Sequence, residues 1–227
     1  MRYWKKLIRF FRSGISLFKT IYFNLYYFPL SDAVKLPVFI YKNVVLADLG
    51  GAVIINGSIE TGIIKIGEYN VGSLDFKCER TIWQNNGTVI FNGAANIGSG
   101  SRLSVNEEGL LRIGSAFCIT GKSTIICNSE ITIGNNCLLS WDILIMDTDF
   151  HHIHDYNNEI INPQESIVIG DNVWICCRNM IFKGVRICND VVIAAGSKIT
   201  KDITTPNAII GGIDKQLVIK EKIYWTK

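Results

Sequence analysis

Residues 169–199, IGDNVWICCRNMIFKGVRICNDVVIAAGSKI, set isoleucine at every sixth position: Ile169, Ile175, Ile181, Ile187, Ile193 and Ile199. A second ladder runs Ile113, Ile119, Ile125, Ile131, and a third, displaced by two residues, runs Ile133, Leu139, Ile145. A period of six matches neither the turn of a helix nor the alternation of a strand. It fits a coil with three flat faces, one hexad to each. The aliphatic residue of every face points inward and stacks on its counterpart in the next coil. Gly67, Gly98, Gly114, Gly134 and Gly170 directly follow ladder residues, where a Cβ would crowd a corner. Val173, Val185, Val191 and Ser197 lie four residues after them. The displaced ladder implies an insertion at a corner. The expectation is an all-β, three-faced parallel coil, whose hand periodicity does not give.

Outside the repeat, the 227 residues carry 23 Lys+Arg against 20 Asp+Glu, a net charge of +3 and too small a bias for a nucleic-acid binder. Seven cysteines, mostly at repeat positions, read as free thiols in a reducing compartment rather than a disulfide framework. The uncharged run from Thr20 to Ser31 is too short to span a bilayer, and no signal-cleavage pattern follows the first basic residues, so a cytoplasmic location is expected. Residues 1–31 hold Arg2, Lys5, Lys6, Arg9, Arg12 and Lys19 and no acid. Trp4, Leu7, Ile8, Phe11 and Ile15 recur at helical spacing. This basic amphipathic helix suits two roles: peripheral contact with an anionic membrane, or a cap on the open end of the coil. The aromatic run Tyr22–Phe28 fits either.

All three histidines lie in Asp149-Phe150-His151-His152-Ile153-His154-Asp155, just before a stretch without ladder residues. An extruded loop near 150–166 is the expectation, and loops on rigid scaffolds are where chemistry concentrates.

The repeats resemble those of the hexapeptide-repeat acyltransferases. The resemblance rests on Ile169-Gly-Asp-Asn-Val-Trp-Ile175, Ile181-Phe-Lys-Gly-Val-Arg-Ile187 and Val192-Ile-Ala-Ala-Gly-Ser-Lys-Ile-Thr-Lys-Asp202, and covers roughly residues 95–212. It implies a left-handed β-helix, a homotrimer, and acetyl-CoA as acyl donor in a groove between subunits. The segment Trp141–His151 is similar to members that O-acetylate surface polysaccharides, which implies a carbohydrate acceptor. The family's general base is a histidine at this place, hence His151, with Asp147 or Asp149 expected to fix its tautomer. For coenzyme binding the resemblance points to Trp174, Cys177, Ala195, Thr200 and Lys201, the last as a cation for the 3′-phosphate. No metal is implied: the related zinc enzymes use histidines far apart in sequence, and none precedes His151.

The chain departs from the pattern in places. Cys176 and Cys188 stand where the family usually has Gly, with corner strain expected. The tail Gly212–Lys220 lacks the family's proline, so a contact of Lys215 or Lys220 with CoA is open. Arg178, Lys183, Arg186 and Lys198 read as a solvated face. Rival readings are a small acceptor (a nucleotide sugar, amino sugar or serine) and a non-catalytic scaffold. The expected organisation is 1–45, a basic N-terminal segment; 46–212, the β-helix; and 213–227, a tail.

Overall fold

The computed structural model describes residues 14–69, 71–72, 74–75 and 78–227. Its strands wind as a parallel coil with three faces. Face one stacks β1 (Val38–Ile40), β4 (Ile64–Glu68), β7 (Ala95–Gly98), β10 (Phe117–Ile119), β13 (Leu138–Leu139), β16 (Trp174–Ile175), β19 (Val191–Ile193) and β21 (Ala208–Gly211). Face two stacks β2 (Val44–Asp48), β5 (Thr81–Asn85), β8 (Arg102–Val105), β11 (Thr124–Cys127), β14 (Leu144–Met146), β17 (Met180–Phe182) and β20 (Lys198–Ile199). Face three stacks β3 (Ala52–Ile55), β6 (Thr88–Phe91), β9 (Leu110–Ile113), β12 (Glu130–Ile133), β15 (Ile167–Ile169) and β18 (Arg186–Ile187). Strands are short because a hexad leaves few residues between corners.

The rungs fall in register: Ile119 pairs Leu139, Leu139 pairs Ile175 and Ile175 pairs Ile193 on face one, while Ile125, Ile145, Ile181 and Ile199 align on face two. All are buried, and each contributes about 1.5–3 kcal/mol of apolar burial. One rung differs from the sequence reading. Ile131 does not follow Ile125; it pairs Leu111 and Ile167, and the rung on that face is Ile133, paired with Ile113 and Ile169. The insertion is Asn128-Ser129, at the corner between faces two and three. From β7 onward the step across the one–two corner stays at six, as in Ile119 to Ile125. Across the two–three corner it lengthens in three coils, from Leu103 to Ile113, Ile125 to Ile133 and Ile145 to Ile169, and returns to six from Ile181 to Ile187.

Corner glycines are required by close approach of the next coil. A Cβ on Gly114 would lie 2.4 Å from the carbonyl carbon of Gly134, and one on Gly134 would lie 2.6 Å from that of Gly170. The left-handed backbone falls two residues later, at Asn136, Asn172 and Asp190. Strain expected at Cys176 and Cys188 is therefore absent: both have ordinary backbone, and the left-handed step is taken by Arg178 (φ 58°) and Asp190 (φ 60°).

The first coil begins at Val38, within the segment read as separate from the repeat. Helix α1 (Leu17–Tyr27) closes the open edge of β1 in place of a missing strand. Thr20 Oγ1 accepts from Ile40 N at 3.0 Å, Asn24 Oδ1 accepts from Val38 N at 3.1 Å, and Asn24 Nδ2 donates to Val38 O at 2.7 Å. Below them Phe23 meets the buried Trp83 edge-on, ring centroids 5.4 Å apart. A short helix, α2 (Leu30–Ala33), leads into β1. The basic helix read over Trp4–Ile15 lies outside the described residues except for its end; Ile15 is buried and bridges Tyr41. Phe23→Ala should cost about 3–5 kcal/mol, measured by urea unfolding followed by circular dichroism; a loss below about 1 kcal/mol would show that the cap is not part of the cooperative unit.

Candidate active site

The longest insertion at the two–three corner, between Met146 and Ile167, carries the three histidines. The loop has internal structure: His154 bridges Ile160, and Asp155 Oδ1 accepts from Asn157 N and Glu159 N, each at 2.9 Å. At its base a clamp forms. Lys183 Nζ, from the next coil, donates to Asp149 Oδ2 at 2.6 Å and to the carbonyls of Asn162 and Pro163, each at 2.9 Å. Asn162 Nδ2 donates to Asp149 Oδ2 and to His151 O, and Asn162 Oδ1 accepts from Ile153 N. Lys183, read as a solvated cation, is instead the half-buried tie between loop and coil.

His151 is exposed at the foot of this loop, its carbonyl gripped by Asn162 and its N–H donated to Asp149 O at 2.7 Å. Among the described residues no hydrogen bond reaches its ring. The expectation that Asp147 or Asp149 orients the imidazole is not met. Asp147 is fully buried, its two oxygens accepting from Asn128 N and Ser129 N at 2.8 Å. Asp149 faces Lys183, whose ammonium and the Asn162 amide hold its carboxyl below the usual carboxylate range. Both acids shape the loop from its base. His152 and His154 are exposed on the loop, their rings 6.3 Å apart.

The same corner carries a feature that the sequence reading missed. Asn86, Asn106 and Asn128 each follow a face-two strand, in line with Asp147, and with Glu107 and Glu108 they line a cleft of about 350 Å³. Asn106 Nδ2 donates to Asn128 Oδ1, and Asn128 N donates to Asp147, so the row runs unbroken to the histidine loop. An asparagine recurring directly after three successive face-two strands, β5, β8 and β11, is the signal that would have found it.

The residues assigned to coenzyme divide between two edges. Trp174 lies half-buried on face one, its Nε1 donating to Ser140 Oγ at 3.2 Å. Cys177 and Ala195 stack in successive coils at the one–two corner, where Gly196 N donates to Cys177 O. Thr200 and Lys201 instead follow β20, exposed on the two–three edge with His151. Burial pushes the neighbouring Cys176 thiol up to about 11, which leaves little thiolate for a nucleophile near neutral pH. The tail also returns to the coil. After β22 (Leu217–Glu221) pairs antiparallel with β21, Trp225 comes within 5.8 Å of Trp174, its Nε1 donating to Asn172 O at 2.7 Å. Trp225 was not foreseen; in the sequence it lies far from anything it touches.

No protein-family model matches the chain. It is 33% identical to galactoside O-acetyltransferase of Escherichia coli K12 over 123 residues, 52% of this chain and 59% of that one. It is 30% identical to polysialic acid O-acetyltransferase of Escherichia coli O1:K1 over 102 residues, 44% of this chain and 32% of the relative. The chain thus spans less than two thirds of these relatives. The crystal structure of a polySia-specific acetyltransferase superposes with a TM-score of 0.51 at 23% identity, covering 81% of this chain and 72% of the other. In sequence the chain is similar to sugar O-acetyltransferases, and in fold it is similar to a polySia-specific acetyltransferase.

The coil accordingly has the left-handed parallel β-helix fold. Within one copy of this hexapeptide-repeat chain, face two separates His151 and Lys201 on one edge from Cys177 and Ala195 on the other. The clamp makes the loop's order depend on a carboxylate whose ionised form the fold favours. Its contribution is present above the ordinary carboxylate pKa and fades as pH falls through the lowered value of Asp149. The protection of the Ile153 and Ile161 amides from hydrogen exchange, taken relative to unstructured amides at the same pH, should therefore fall in acid, and Lys183→Met should lower it at neutral pH as well. Unchanged protection in the variant would show that the loop is held by something else.

Proposed function

We propose that the chain transfers an acetyl group from acetyl-CoA to a hydroxyl of a sugar in a surface polysaccharide or its lipid-linked precursor. The observation that carries this reading is the clamped, exposed His151 at the end of a polar cleft on a rigid edge. His151 takes the proton of the acceptor hydroxyl as its oxygen attacks the thioester carbonyl. The C–S bond then breaks, and the CoA thiolate receives the proton back from the imidazolium. Asparagine amides and the Glu107 and Glu108 carboxylates suit sugar hydroxyls, since each hydroxyl both donates and accepts. The relatives named above are, by their descriptions, O-acetyltransferases of a galactoside and of polysialic acid, which supports a carbohydrate acceptor.

Coenzyme binding follows from the split between edges. Trp174, Cys177 and Ala195 would line the pantetheine arm on one copy, with His151, Thr200 and Lys201 of a neighbour opposite, so the active unit is a homotrimer with a site in each groove. Phe150, Ile153, Tyr156, Ile160 and Ile161, exposed on the loop, supply an apolar surface for that neighbour. The free cysteines fit a cytoplasmic reaction.

The test is incubation with acetyl-CoA and a panel of polysaccharide, lipid-linked and nucleotide-linked sugars, followed by product mass. His151→Ala should lower kcat by about 100-fold or more with little change in KM for acetyl-CoA; full turnover in the folded variant would refute the base assignment, and transfer to a nucleotide sugar alone would favour a small acceptor. For Lys201, the parent enzyme should prefer acetyl-CoA over its 3′-dephospho form by about tenfold, and Lys201→Ala should erase that preference. A preference that survives would move the phosphate contact elsewhere.

A further inference from the structure

The cap helix has two apolar sides. Its inner side, Thr20, Phe23, Asn24 and Tyr27, seals β1 and plugs the coil. Its outer side presents Phe18 (79% exposed), Tyr22 and Leu25, with Tyr26 beside them, and Leu30 (69%) and Val34 (66%) continue the surface past the helix. Phe18, Tyr22 and Leu25 follow one another at helical spacing, and the Phe18 and Tyr22 rings lie parallel, 6.4 Å between centroids. A solitary exposed leucine is ordinary; a run of large apolar side chains along one helix face is not.

Charge identifies what covers it. The preceding residues bring Arg2, Lys5, Lys6, Arg9 and Arg12, and no acid occurs before Asp32. Self-association through this face would set these cations against their own copies. An anionic surface that also accepts aromatic and aliphatic side chains to a shallow depth meets both requirements. Tyrosines at the margin suit the boundary between headgroups and acyl chains. No helix among the described residues is long and apolar enough to cross a membrane.

We infer that the outer face of α1, with the basic residues before it, docks the N-terminal end of the coil flat against an anionic lipid bilayer. The alternatives of cap and membrane contact are then two faces of one helix. Four coil steps of about 4.8 Å separate β1 from β13, so the coil that leads into the histidine loop stands about 19 Å above the cap. A lipid-linked glycan rising from the same bilayer would meet the asparagine row on its way to His151. Docking itself does not depend on the transfer chemistry.

The experiment is co-sedimentation of the full chain with phosphatidylcholine vesicles, with and without phosphatidylserine, in low and high salt. Binding should be at least about tenfold tighter with phosphatidylserine and weaken as salt rises. Phe18→Gln/Leu25→Gln should lower it by about tenfold or more with an unchanged melting temperature. Should that variant melt early, Lys5→Gln/Lys6→Gln/Arg9→Gln carries the test, with loss of the phosphatidylserine preference expected. Failure to pellet, equal binding to neutral vesicles, or undiminished binding by the variants overturns the proposal. So does a lower mass by light scattering for Phe18→Gln/Leu25→Gln, which would mean that the face covers another copy. His151→Ala should pellet like the parent, so loss of transfer and loss of docking remain separate results.

Discussion

Every coil must present its backbone and one inward rung to the coil above and below it, and nearly everything else about this molecule follows from that stacking. Successive strands sit at a fixed spacing, with the rung isoleucines on one another inside. A face cannot gain or lose a residue without turning its inward set outward. A Cβ cannot be added at Gly114 or Gly134 without meeting the next backbone. Only the corners are free to change length. The two–three corner takes up that freedom, with Asn128-Ser129, the Asn106–Glu108 turn and the histidine loop one above another. Site chemistry gathers on an edge because an edge is where the repeat leaves room for residues of a different kind.

The same constraint decides what was legible in the amino-acid sequence. The ladder from Ile169 to Ile199 revealed the coil because five equal steps across the corners leave no insertion to hide them. Ile131 misled because on face three the position two before each rung, as at Leu111, Ile131 and Ile167, also points inward and is also aliphatic, so a two-residue insertion restores an apparent spacing of six. His151 could be picked out by its place after the ladder. Its surroundings could not: Asp149 lies two residues away, but Lys183 reaches it from the next coil and outcompetes the imidazole. Trp225 and the asparagine row depend on which coils become neighbours, which local spacing does not encode.

At the ends of the stack the constraint becomes a problem to be solved, since a coil with nothing above it leaves strand edges and apolar rungs open to water. At the N-terminal end Thr20 and Asn24 supply the missing donors and acceptors to β1, and Phe23 with Trp83 fills the opening. At the other end β22 turns back along β21, reversing direction so that no further rung is required. The two closures differ in build: the first is a helix with an apolar outer side, the second a strand exposed along its whole length.

A coil of this kind is too narrow to enclose a substrate, because its interior is filled by the rungs. Whatever binds must do so on the outside, between edges or between copies. A face separates adjacent edges, so residues brought together by sequence likeness, such as Cys177 and His151, face away from each other within one chain. In the proposed homotrimer a second copy would turn that separation into a groove with two unlike walls, one carrying Trp174 and small side chains, the other a clamped histidine and an exposed lysine. The clamp then has a clear physical purpose. With no hydrogen bond to its ring among the described residues, His151 is positioned through its backbone, which Asn162 and Lys183 fix to the scaffold.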